Sequence, residues 1–167
     1  MKKYCIWLSL VYFLYILQSS VLPLFSFHGN STDFMLLFTV SVAFLYGSRM
    51  GAYAGFLTGL LQDLATGTFF GVDIFAKLVI GYICGLFSNR VYKEELLLPV
   101  AAAAVASIAH NLIVACFMLL LGFRFDFLQH IQSNWPAILC YNVVFALPVH
   151  YAVYNIFKYF SETKKTS

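Results

Sequence analysis

Of 167 residues, 62% are apolar and only 10% are charged, against roughly 25% charged in an ordinary soluble domain. The chain therefore reads as a polytopic membrane protein: six spans of about 20 residues would use nearly all of it, with no room for a separate soluble domain. The formal charge of +3 is small, and no basic cluster is interleaved with stacking aromatics, so nucleic acid is not an expected partner.

Met1 to Pro23 has the basic start and apolar run of a signal peptide. The run from Cys5 to Phe25 is long for one, however, and lacks a small-x-small cleavage site. It is read as a retained first span, about Cys5 to Leu24, with Tyr4, Trp7, Tyr12 and Tyr15 suited to the interface or to helix packing. Pro23, Gly29 and Asn30 mark a loop from Phe25 to Thr32. Asp33 then stands where a carboxylate caps the free amides of a helix start.

Arg49 interrupts the apolar stretch that follows, so Phe34 to Gln62 is either one long span or two short ones. Two spans place Lys2, Lys3, Arg49, Arg90, Lys93, Lys158, Lys164 and Lys165 on the cytoplasmic side against Arg124 outside. One merged span inverts everything after it and spoils that balance. The expected fold is therefore an all-α integral membrane domain over residues 1–160, with six transmembrane helices and both termini inside. Spans two and three are short, hence tilted or shielded by neighbours.

Span four is about Phe69 to Phe87, and Ser88 to Glu95 is a charged turn. Span five, about Leu96 to Leu121, opens with Pro99 and the small residues Ala101 to Ala104. Gly122 to Trp135 alternates Phe123, Phe125 and Phe127 with polar residues and predicts a surface-lying outer segment. Span six is about Pro136 to Tyr159, with Pro148 as an expected kink. The tail over 161–167, SETKKTS, is polar and short. No internal repeat suggests an inverted-repeat transporter.

The chemistry-bearing residues concentrate between Gly51 and Phe87. Gly51, Gly55 and Gly59 recur every four residues and so share one side of a helix; Gly81 and Gly85 do the same in span four. Missing side chains let another backbone come close, and this surface is read as one kept open for another helix, in the leading reading a partner's and otherwise one of the same chain. Asp63, with Gly67 and Gly71, makes either a structural corner, its carboxylate accepting from turn amides, or an outward contact point. Asp73 and Lys77, four apart on one helix face, make either an internal ion pair or a polar contact site.

His110 and Asn111 lie mid-span, where polar groups face the interior. Asn142 and Gln18 are their candidate hydrogen-bond partners. Cys5, Cys84, Cys116 and Cys140 occur singly, as small packing residues. His28, His130 and His150 have no metal-ligand spacing. Ser107 with His110 is the one close nucleophile and base pair, but no GxSxG turn accompanies it, and P-loop, dinucleotide and zincin motifs are missing. No catalytic residue, metal or cofactor is expected.

The stretch Gly55, Gly59, Leu60, Leu61, Asp63, then Thr66, Gly67 and Gly71, then Gly81, Tyr82 and Gly85, resembles the rod shape-determining protein MreD family, as do the chain's length and the basic turn at Arg90 and Lys93. Thr32 and Asp33 replace the usual Pro-Asp pair before span two. The resemblance implies a non-enzymatic component of the elongation machinery in the bacterial cytoplasmic membrane. Its implied partners are the bitopic protein MreC directly, with the MreB filament and the peptidoglycan synthases reached through the complex. It also implies a fold like the S-components of energy-coupling-factor transporters. The alternative reading is accordingly a vitamin-like ligand binder of that type, with a site drawn from Asp73, Lys77, His110 and Asn142.

Overall fold

The computed structural model describes residues 2–21, 33–67, 69–88, 97–122 and 142–159, which are helices and the turns between them. α1, Lys2–Ile16, continues into a wider π-helical turn at Leu17–Val21. α2 is Phe34–Tyr46, α3 is Ser48–Thr66, α4 is Val72–Leu86 and α5 is Leu97–Leu120. Residues 142–159 form α6, which is helical on both sides of Pro148. The loop at 25–32, the basic turn with Arg90 and Lys93, the segment expected on the surface at 123–135 and the tail at 161–167 lie outside the described residues.

α2 is the axis of the bundle. Its sequence, FMLLFTVSVAFLY, is apolar on every side apart from Thr39 and Ser41, and a helix of that kind belongs in the interior. Phe34 through Leu45 are all buried. On one flank Val11 and Leu14 of α1 and Ala146, Val149 and Val153 of α6 pack on it; on the other, Ile80 of α4 and Ala106 of α5 do. Aromatic edges fix the angles: Trp7 meets Phe38 and Tyr46 at 5.8 and 5.7 Å, and Phe34 meets Phe145 at 5.3 Å. The two hydroxyls bond back within the helix, Thr39 to the Met35 carbonyl and Ser41 to that of Leu37.

A single residue, Gly47, reverses the chain between α2 and α3. Its φ of +88° is a conformation that a side chain would strain. Phe34 to Gln62 is therefore two antiparallel helices, and the break falls two residues before the arginine that suggested it. Thr39 and Thr58 hydroxyls lie 2.8 Å apart across this hairpin, while Arg49 is exposed just past the turn.

α3 and α4 form the closest pair. Gly51 lies on Gly81, Gly55 on the Lys77 carbonyl, Gly59 on Asp73 and Ile74, and Gly85 on Ser48. Each step of four along α3 is matched by a step of about four back along α4. A Cβ at Gly51, Gly55, Gly59, Gly81 or Gly85 would approach the opposite backbone to under 3.0 Å. The expectation of a surface kept open for a partner's helix is corrected here. The short corner at Gly67–Gly71 folds α4 directly back onto α3, so the helix these glycines admit belongs to the same chain.

Gly55→Ala is accordingly expected to destabilise the protein by about 1–3 kcal/mol through overpacking, and Gly55→Leu to prevent folding. Gly67→Ala should cost about 1 kcal/mol, because Gly67 has φ +63° but open space around it. Unfolding by SDS from mixed micelles checks the order; a Gly55→Ala protein as stable as the parent would refute the backbone contact.

Candidate functional site

The starts of α2, α4 and α6 and the end of α3 bring polar groups to one end of the bundle. Asp63 sits one turn from the end of α3 and is 2% exposed. Its carboxylate accepts from the amides of Gly71 at 2.8 Å, Ile74 at 3.2 Å and Asp73 at 3.3 Å. The first amides of a helix have no partner within it, so an acid on α3 caps α4. Gly67 closes α3, with its N–H on the Asp63 carbonyl, and Gly71, at φ +102°, delivers the chain into α4. Asp63 thus takes the amides at the start of the next helix.

Lys77 is fully buried, with a relative exposure of 0%. Its nearest carboxylate is on another helix: Asp33 Oδ2 at 2.8 Å, with Asp73, one turn back on α4, at 3.8 Å. Lys77 Nζ also donates to Gln62 Oε1 of α3. Two ammonium hydrogens thus meet acceptors at the start of α2 and on α3, and Asp73 adds a longer ion pair within α4. An isolated charge in this interior would be very costly, and the cluster offsets that cost by pairing and hydrogen bonding.

Asp33 does several things at once. Its other oxygen accepts from the Leu36 amide at 2.9 Å, capping α2, and its own N–H donates to Asn142 Oδ1 of α6 at 3.2 Å. Asn142 then donates to Ser107 Oγ of α5 at 2.7 Å, and Ser107 donates to the Ala103 carbonyl. His110 Nε2 donates to Asp73 Oδ1 at 2.9 Å, which ties α5 to α4 as well. Gln18, in the π-helical turn, accepts from the Met35 amide at 3.3 Å.

The structure thus joins Asp73, Lys77 and His110 directly, with Asn142 linked through Asp33, and places Asp63 beneath the same helix start. Asn111 is half-buried and makes none of these bonds. Two pairings come out differently from the sequence expectation: Asn142 meets Ser107 and Asp33 rather than His110, and Gln18 caps α2. Three participants are not marked as site residues by sequence pattern: Asp33, Gln62 and Ser107. Asp33 and Gln62 were legible as belonging to the same level, since the topology count puts the start of span two and the end of span three on one side. In sequence Ser107 reads only as a nucleophile; its hydroxyl is bonded to Asn142 and Ala103, and His110 turns to Asp73 instead. Among the described residues no group of His, Cys, Asp or Glu is arranged to hold a metal ion.

These features define a helical membrane protein whose buried charges tie its helices together. Among the described residues, Val100–Leu120 of α5 is long and apolar enough to cross a bilayer by length and composition. The family model for rod shape-determining protein MreD matches residues 1–160, and the chain belongs to that family. Its role lies in rod shape determination, in a family of structural rather than known catalytic proteins. Comparison with curated proteins and with solved structures gives no match. The S-component likeness thus gains no support, and the four residues drawn on for its ligand are bonded to one another or to Asp33 and Ser107.

Lys77→Met is expected to destabilise the protein by about 3–5 kcal/mol, because it leaves Asp33 without a counter-charge. Adding Asp33→Asn should recover a large part of that loss. Asp63→Ala should cost about 1–3 kcal/mol by orphaning the α4 amides. SDS unfolding of the single and double variants measures all three, and strict additivity of Lys77→Met with Asp33→Asn would refute the ion pair.

Proposed function

We propose that the chain is a non-enzymatic, multi-pass scaffold of the bacterial cytoplasmic membrane. In this reading six spans with both termini inside make one domain over residues 1–160. The scaffold binds the single transmembrane helix of MreC and, through that complex, connects to MreB and the peptidoglycan synthases of lateral wall growth. What carries the reading beyond family membership is where the polar groups go. Asp33, Gln62, Asp73, Lys77, His110 and Asn142 are bonded across helices of the same chain, an arrangement that fixes a shape rather than one that handles a substrate. The surface that remains for a partner is apolar: Tyr53 on α3, Val105 on α5 and Tyr12 on α1 are each more than half exposed.

Because the glycine faces are filled by α3 and α4 themselves, MreC docks on these outward side chains. A photo-crosslinking amino acid at Tyr12, Tyr53 or Val105, in cells expressing MreC, is expected to capture MreC from at least one face and to lose it from the opposite face. Equal or missing capture from all three would count against a specific MreC interface, with SDS unfolding of each variant establishing that it is folded.

A further inference from the structure

The helices that would meet lipid differ in length. α5 has 24 residues, about 36 Å end to end, and its apolar stretch Val100–Leu120 alone covers about 30 Å. α4 has 15 residues, about 22 Å. α3 has 19 residues, but its exposed apolar side chains run only from Met50 to Leu64, about 21 Å, between exposed Arg49 and exposed Thr66. A hydrocarbon core is about 30 Å thick. Exposed Phe70 and Phe87 flank α4 and extend its apolar side to at most about 25 Å. The α5 side matches the core; the α3–α4 side falls short by about 5–8 Å.

A lone short helix could be shielded by neighbours, as α2 is. The α3–α4 pair is not: Tyr53, Phe56 and Leu57 on α3, and Phe75, Tyr82 and Ile83 on α4, are exposed along its outer face. Nor can one helix tilt against the other, because Gly51, Gly55, Gly59, Gly81 and Gly85 hold the two backbones in contact. Tilting the pair together only lowers its height. Exposed polar residues mark both edges: Arg49 stands at one end of α3 and Thr66 at the other. Exposed Tyr53 and Tyr82 sit within about a turn of the Arg49 level, where amphipathic rings favour the headgroup region.

We infer that the α3–α4 hairpin is an interface for lipid that thins the bilayer locally, so that the protein carries a membrane of unequal thickness around it, thin at the hairpin and ordinary at α5. The inference rests on the reading of these helices as membrane spans. The occupant is acyl chain, because the face from Met50 to Leu64 presents apolar side chains over a height shorter than the hydrocarbon core, so lipid is what must adapt to it.

The full chain, reconstituted in phosphatidylcholine vesicles of increasing acyl length, tests it across a hydrocarbon thickness of about 20 to about 32 Å. The folded-to-unfolded ratio under a fixed SDS challenge is expected to be about tenfold higher at the thin end, since mismatch costs fractions of a kcal/mol per ångström. Nitroxide labels on Leu57→Cys and Leu112→Cys, with the native cysteines replaced by alanine, should report a shallower Leu57 than Leu112 in the thicker bilayers. Equal depths with maximal folding near 30 Å would overturn local thinning while leaving the membrane reading intact. A Leu57 label screened from lipid in a dimer would overturn it in favour of a second copy as occupant. Release of the parent chain from vesicles by alkaline wash would instead refute the membrane reading itself.

Discussion

Backbone contact between α3 and α4 is the constraint from which the rest of the structure follows. Gly55 rests on the carbonyl of Lys77, so the absence of a side chain on α3 fixes where that lysine starts. With its backbone held there, the side chain turns inward between α2 and α3, and its ammonium reaches Asp33 and Gln62. Widening the helix pair by one methyl group would move the charge away from both. Small residues and buried charge are thus coupled here: the glycines set the distance over which the ion pair can act.

The same contact explains the corner. Two helices packed this tightly need a short reversal, and a short reversal leaves the first amides of α4 without room for a cap of their own. Asp63 supplies it from the opposite helix. One carboxylate therefore closes the turn and anchors α4 at the register that the glycines demand. In the same way Asp33 caps α2 while pairing with Lys77. Both acids serve a helix end and a long-range contact together, which is how a chain with so few charged residues holds several helices in place.

Much of this was legible in the sequence. The spacing of Gly51, Gly55 and Gly59 announced a close helix contact, Asp33 and Asp63 announced caps, and the Asp73 to Lys77 spacing announced an ion pair. What spacing could not give was the owner of the facing helix. A glycine stripe specifies a distance between backbones but says nothing about which backbone fills it, and only the three-dimensional return of α4 answers that. For the same reason Asp33 was visible as a cap and invisible as the main partner of Lys77, 44 positions away by the numbering. Local periodicity fixed the faces of helices; the pairings between faces depend on how the short turns fold. The central place of α2 was foreshadowed only by its lack of a polar side.

A rigid pair of short helices also bears on how a member of a structural family could act in shape determination. A scaffold that merely floated in lipid would need strong polar contacts to hold a partner, yet the strong polar contacts here are turned inward. Among the described residues the outward apolar faces of the helices offer packing, which in a bilayer competes with equally apolar lipid. A short face changes that competition, because lipid around it is deformed and a helix that replaces the deformed lipid recovers the difference. Shape alone can then favour association beside the hairpin, with the buried ion pairs ensuring that the hairpin cannot relax to remove the mismatch.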